Sequence, residues 1–343
     1  MKKFISCVAL VFVSFFAFLI VLKPNICIKA ALTGVMLCGN VIIPSIYPFT
    51  FCVLFINNSN AANILKPLQP IIKMLWGLNY YEFSLFLLSL IGGYPLGAKL
   101  LNESQSRNSA LMINYCINAG PAFIILAVGK GVFKNTAVGW VLFLSHIFAS
   151  IIIALFLHKK VVYEAPNQQK TTLNIVENFV LSASSAADTV IKICALVILF
   201  SCISSYIEYF ANFFAPLKLL GLLCEVTNAV FKCNNVLIVS FLLGFSGFSI
   251  WAQIFSLAKN IKINYIKFMF FRLLHGALST LLTFITLKLL KISVSTLSNN
   301  VYFNPKMFTN TPVVAFSLII MGIVLIISLG DKKYAGNLIE DIV

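Results

Sequence analysis

Residues 83–101 read FSLFLLSLIGGYPLGAKLL, and this stretch decides the fold class. Its flanks are apolar enough for the middle of a bilayer. Its centre, Gly92-Gly93-Tyr94-Pro95-Leu96-Gly97, is built to break a helix. Glycine weakens a helix, and proline removes one of its hydrogen bonds. Inside a bilayer the freed backbone groups must be buried in protein or line a watery cavity. A stretch that is both membrane-apolar and helix-broken predicts a re-entrant hairpin or a broken helix within an all-α transmembrane bundle.

The rest of the chain repeats the pattern. Apolar segments recur at 4–22, 33–56, 64–78, 109–129, 136–157, 178–207, 213–231, 236–258, 265–290 and 312–330. Segment 33–56 holds Pro44 and Pro48. Segment 109–129 is cut by Asn118-Ala119-Gly120-Pro121, and 236–258 by Gly244-Phe245-Ser246-Gly247. These are further candidates for broken or re-entrant helices. A span takes roughly 20 residues, which leaves room for about eight full spans.

Composition agrees. Of 343 residues, 60% are hydrophobic and 10% charged, against about 25% charged in a soluble domain. So few charges cannot cover such a core, and lipid must be the solvent for much of the surface. The net charge of +15 comes mostly from residues between apolar runs, the pattern of membrane-protein loops. No basic and aromatic patch stands on a soluble domain, so nucleic acid is not an expected partner. The N-terminus, Met1-Lys2-Lys3 before the apolar run 4–22, imitates a signal peptide. The run is longer than the 7–15 residues typical of a signal core and is read as an uncleaved first span.

The chain divides into five regions. Residues 1–32 are an N-terminal transmembrane helix and loop, and 33–157 a first half. Residues 158–177 are a polar loop, 178–290 a second half, and 291–343 an outer loop, a final transmembrane helix and a short tail. Lys159, Lys160 and Lys170 place the middle loop on the cytoplasmic side. Lys2, Lys3, Lys332 and Lys333 place both termini there, whereas Lys23 and Lys29 fit this scheme less well. The halves look alike. Pro67-Leu68 answers Pro216-Leu217, and Phe86–Gly92 answers Phe241–Gly247. Paired broken segments in two halves point to the binding site of a transporter with an inverted repeat.

Several polar groups inside apolar runs are candidates for that site. In the first break they are Gly92, Gly93, Pro95, Gly97 and Lys99. Glycines let backbone approach a ligand, and a restarted half-helix turns its positive end toward an anion. Lys99 either faces a cavity or snorkels to the interface. Asn114, Asn118, Gly120 and Pro121 form the second group, whose amides either bind a solute or glue helices. Glu225, Thr227 and Asn228 form the third; a carboxylate in an apolar run must be paired or wet. Gly244, Ser246, Gly247, Ser249 and Gln253 form the fourth. Arg272 and His275 complete the set. Arg272 either clamps a carboxylate or anchors its helix. Lys99, Asn118, Ser246 and Arg272 are expected to converge near mid-membrane. Asp188 and Lys192, four apart, read as a structural ion pair.

Chemistry-bearing motifs are missing. The sequence has no HExxH, no GxxxxGK[ST] and no GxGxxG. Gly244-Phe245-Ser246-Gly247 resembles a nucleophile elbow only superficially. The nine cysteines are scattered without a CxxC pair and read as small buried hydrophobes. The three histidines, His146, His158 and His275, are far apart. Neither catalysis, a metal nor a cofactor is expected.

The order of motifs resembles the YlbJ (SpoVV) family of sporulation integral membrane proteins, whose members carry nucleoside-recognition Gate regions. The matching stretches are 42–49, 91–103, 114–125, 144–150, 221–228, 240–253 and 270–276. They make the two halves Gate-like. The resemblance implies a fold similar to concentrative nucleoside carriers, with inverted repeats and helical hairpins. It also implies a role in moving dipicolinic acid across the outer forespore membrane during sporulation. Dipicolinate is a planar aromatic dianion, suited to half-helix N-termini with Lys99 or Arg272. Tyr94, Leu96 and Ala119-Gly120 depart from the family pattern. Two other readings stand beside it: a carrier of nucleosides or other small solutes, and a non-transporting scaffold for spore-envelope assembly. The scaffold predicts that Lys99 and Arg272 can be neutralised without loss. Coupling ion, direction and oligomeric state are left open.

Overall fold

In hydrocarbon a backbone must satisfy its own hydrogen bonds, and an open chain does this as helices. The computed structural model describes residues 2–165 and 174–292, with side chains from Cys7 onward. Among them every regular element is helical. The first half comprises α1 Lys2–Leu22, α2 Pro24–Asn58, α3 Ala61–Trp76, α4 Tyr80–Gly92, α5 Tyr94–Ser104, α6 Ser109–Met112, α7 Ala122–Val132 and α8 Thr136–Leu157. The second comprises α9 Ile175–Ala211, α10 Leu217–Cys224, α11 Val226–Lys232, α12 Val236–Phe245, α13 Gly247–Leu257 and α14 Tyr265–Leu289. Five units are long and apolar enough to cross a membrane: α2, α8, α9, α12–α13 together, and α14. Helices α3 and α4, bent by 79° at their junction, make a sixth only if read as one span. The expected span 312–330 lies outside the described residues.

Side-chain bonds tie the helix ends into two opposite layers. In one, Glu82 at the start of α4 accepts from Ser106 and from Asn108 Nδ2 just after α5, the latter at 2.9 Å. Asn108 Nδ2 also donates to the Val162 carbonyl at 2.9 Å, and Asn79 Nδ2 to that of Glu164 at 3.0 Å. In the same layer Asn178 Nδ2 near the start of α9 donates to the Phe55 carbonyl at 3.1 Å. Asn102 there accepts from the Asn260 backbone N–H, beyond α13, at 2.8 Å. In the opposite layer Tyr206 donates to the carbonyls of Leu19 and Lys23 at 3.2 and 3.1 Å. Lys232 at the end of α11 pairs there with Glu208 at 2.7 Å.

These layers classify the breaks. The α4–α5 pair starts and ends in one layer, so it is a hairpin that turns back on itself. The α10–α11 pair follows the end of α9 and finishes beside Glu208, so it is a second hairpin, from the other layer. The α12–α13 pair runs from one layer to the other. Phe86–Gly92 and Phe241–Gly247, which look alike in sequence, therefore sit in geometrically different units.

Two further expectations are corrected. Pro44 and Pro48 do not break their segment. A π-helical turn at Cys38–Ile42 widens the backbone just before Pro44, and the helix continues to Asn58. Such a turn absorbs the hydrogen bond that proline cannot make. Residue 32, taken as the end of a loop, falls inside α2. Segment 213–231 opens at Glu225, whose backbone is extended. The ion pair Asp188–Lys192 forms as expected, at 2.6 Å on an exposed face.

The 37-residue α9 positions both hairpins. Lys99 on α5 donates to Ser185 Oγ at 2.5 Å and Thr189 Oγ1 at 2.9 Å. Ser204 donates to the Gly221 carbonyl on α10 at 3.1 Å, and Asn228 on α11 donates to Ser201 at 2.7 Å. One helix thus sets the separation of the two hairpin tips.

Candidate functional site

Each hairpin tip lies against the broken part of a neighbouring segment. At the first tip Gly93 has φ +89° and ψ 168°, a conformation essentially reserved for glycine. A side chain on Gly120 would stand 3.5 Å from the Gly93 Cα and 3.4 Å from the Ile91 carbonyl. At the second tip a side chain on Gly247 would stand 3.2 Å from both the Leu223 carbonyl and the Val226 nitrogen. Lower in the first hairpin, a Cβ on Gly97 would overlap the carbonyl of Cys116, so α5 packs on bare backbone there.

A cleft opens between the tips. The first tip contributes Gly92, Gly93, Tyr94 and Pro95, and the first break Gly120 and Pro121. From the second hairpin and α13 come Thr227, Ile250 and Gln253. Helices α2 and α9 close it with Ile42, Ser45, Phe49, Ile193 and Val197. Among the described residues, no Lys, Arg, Asp or Glu lines it. The space in which a water-sized sphere can sit is about 30 Å³, room for roughly two waters. The cleft is therefore narrow.

Its electrostatics come from helix ends. Helices α5 and α7 both begin at the cleft, and neither N-terminus has a side-chain cap. Pro95 and Pro121 carry no N–H, and the N–H groups of Leu96 and Ile124 donate to the Gly93 and Gly120 carbonyls at 3.2 and 3.1 Å, so each start keeps a partial positive charge with few open donors. The start of α11 differs. Glu225, fully buried, accepts from the backbone N–H of Thr227 at 3.1 Å and of Asn228 at 2.6 Å.

The remaining expected site residues lie around the cleft. Lys99 is turned to α9, away from it. Arg272 is fully buried; its Nη1 donates to the Ile117 carbonyl at 2.7 Å, and its Nη2 to that of Gly244. It therefore joins the two breaks by binding carbonyls that the breaks release. Asn118 Nδ2 donates to the Tyr115 carbonyl at 2.9 Å, and Ser246 Oγ to that of Phe245 at 2.6 Å. Asn118, Ser246 and Arg272 thus gather at the breaks, and Lys99 does not join them. Ser249 is buried and accepts a long 3.5 Å bond from Gln253, whose Oε1 has no partner. Asn114 Nδ2 donates to the Leu111 carbonyl at 2.8 Å and lines a different cavity. His275 donates from Nε2 to the His146 carbonyl at 3.0 Å, with ring centroids 4.4 Å apart.

Sequence reading misses three groups here. Tyr94, inside the glycine motif, donates to the Leu243 carbonyl at 2.7 Å and so ties the first tip to the second break. His146, seen only as an isolated histidine, accepts from the Ala119 N–H at 3.0 Å. Ser45, in the cleft wall, carries no signal beyond being polar in an apolar run.

No family model matches the chain, and no solved structure matches it significantly. It is 24% identical over 325 residues to the sporulation integral membrane protein YlbJ of Bacillus subtilis (strain 168), covering 78% of this chain and 80% of that protein. That similarity supports membership of the YlbJ family. With the long apolar helices, it makes the chain a multi-pass membrane protein and a YlbJ homologue. Glu225 and Gly92–Gly97 lie within the stretches that carry the YlbJ resemblance.

Proposed function

We propose that the chain is a carrier moving a small organic anion across the membrane, with dipicolinate at the outer forespore membrane as the first solute to test. The observation that supports it is the cleft where two uncapped half-helix N-termini meet an apolar wall. The positive ends of α5 and α7 would attract carboxylates. Ile42, Phe49 and Val197 would take the ring. The cationic side chains expected for this purpose are engaged elsewhere, so recognition falls to backbone.

The reading includes an inverted repeat. Helix α2 leads to a hairpin from the 158–165 layer, the broken segment 109–132 and α8. Helix α9 leads to a hairpin from the opposite layer, the broken pair α12–α13 and α14. The orders match and the senses are reversed, as in carriers built from inverted repeats. The reading keeps the expected eight spans, counting α1 and the expected span 312–330 among them. The narrow cleft has no room for such a solute, and transport requires one tip to withdraw at a time. The protein carries its solute without altering it.

A neutral solute such as a nucleoside is the second reading, favoured by the absence of lining charges and by the partnerless Oε1 of Gln253. Uptake of labelled dipicolinate into liposomes holding the full-length protein tests both. Saturable uptake, reduced at least tenfold by Thr227→Val with Gln253→Leu, supports a carrier with its site in the cleft. Uptake no higher than in protein-free vesicles overturns dipicolinate. Nucleoside uptake that the same variant removes replaces the first reading with the second.

A further inference from the structure

A second cavity, of about 330 Å³, lies in the layer of the 158–165 loop. Three separate stretches of chain bring four cations to it: Arg107, Lys160, Lys262 and Lys267. Arg107 has a counter-charge, Glu164, at 3.0 Å. Among the described residues the three lysines have no ion-pair partner. The wall mixes apolar Leu111, Leu157 and Phe271 with Asn108, Asn114 and Asn264. Just past its rim, Ile266, Met269 and Phe270 of α14 are exposed.

Basic loops are ordinary on the cytoplasmic face, and charge alone would mean only topology. Here the charges converge on a concavity between α8 and the start of α14, with an exposed apolar helix face below. That combination matches a molecule with an anionic head and an apolar tail. We propose that the cavity binds a phosphate-bearing headgroup, supplied by an anionic phospholipid of the surrounding leaflet. The phosphate sits among Lys160, Lys262 and Lys267, and the acyl chains run along α14. The proposal is independent of what the central cleft carries.

The test is native mass spectrometry of the full-length protein in detergent, offered phosphatidylglycerol or phosphatidylcholine with the same acyl chains. The expected result is at least tenfold greater retention of phosphatidylglycerol, lost in Lys262→Gln with Lys267→Gln. Lys29→Gln with Lys218→Gln, which removes two exposed charges elsewhere, should leave retention unchanged. Equal retention of the two lipids overturns the proposal. So does a Lys262/Lys267 variant, folded by its thermal melt, that retains phosphatidylglycerol like wild type. In a second arm millimolar inorganic phosphate is added. If it binds saturably and expels the lipid, the lipid is overturned as the source and soluble phosphate takes its place.

Discussion

The two hairpin tips solve the same backbone problem in opposite ways. At the first, Gly93 turns the chain at positive φ, and α5 begins with no side chain covering its N–H groups. At the second, Glu225 turns the chain in an extended conformation and covers the first N–H groups of α11 with its own carboxylate. One tip supplies its own acceptor; the other begins uncapped beside the cleft. The difference teaches where a carried anion belongs. It would meet the Glu225 side-chain oxygens at the second tip and an uncapped, partially positive helix start at the first.

The sharpest way to break this comparison is to pry the first hairpin off its support. A side chain at Gly97 would overlap the Cys116 carbonyl, which cannot rotate away. Overpacking typically costs about 1–3 kcal/mol, and a backbone obstacle pushes beyond that range. Gly97→Val should therefore yield little monodisperse protein by size-exclusion chromatography. A folded variant with a wild-type thermal midpoint would mean that α5 does not pack there.

Next comes the second tip. Glu225→Ala should leave the N–H groups of Thr227 and Asn228 buried without an acceptor, at about 1–3 kcal/mol each. Glu225→Gln keeps one oxygen and should lose less. Thermal unfolding in detergent should rank wild type above Gln above Ala. If Glu225→Ala melts like wild type, the carboxylate is not a cap, and the contrast between the tips falls.

How far the sequence predicts these tips follows from the chemistry of each. Glycines and a proline inside an apolar run admit only a broken helix, so the turn at 92–97 was legible. The break at Glu225 was not, because Leu222–Asn228 has neither residue, and a buried carboxylate reads equally as cap or ligand. Pro44 misleads because the π-helical turn that accommodates it has no sequence signature, and Pro48 stands within the helix that continues beyond that turn. Arg272 and Lys99 show the remaining limit. Sequence places a cation in an apolar helix, but which neighbour its long side chain meets depends on tertiary packing. Arg272 meets two carbonyls at the breaks and Lys99 meets α9.

A smaller effect probes the first tip itself. Gly93→Ala places a Cβ at φ +89°, a strain of about 1–3 kcal/mol. It should lower the melting temperature modestly and reduce dipicolinate uptake more than stability. Ser246→Ala at the second break, which loses only a local bond to the Phe245 carbonyl, should do neither to the same extent. Equal losses of uptake from both variants would erase the functional difference between the tips.

The smallest expected effect is at Lys99, and it separates a tether from a ligand. Its ammonium holds α5 to Ser185 and Thr189 on α9 and takes no part in the cleft. Hydrogen bonds to a charged group contribute about 1.5–3 kcal/mol, and partial exposure puts Lys99 at the low end. Lys99→Met keeps the aliphatic stem and removes the three donors. Its melting temperature should fall slightly, while the concentration for half-maximal uptake stays within about twofold of wild type, since twofold is under 0.5 kcal/mol. A tenfold rise with unchanged stability would return Lys99 to the binding site. The first tip would then recognise its anion by a side chain, as the second tip recognises its own N–H groups.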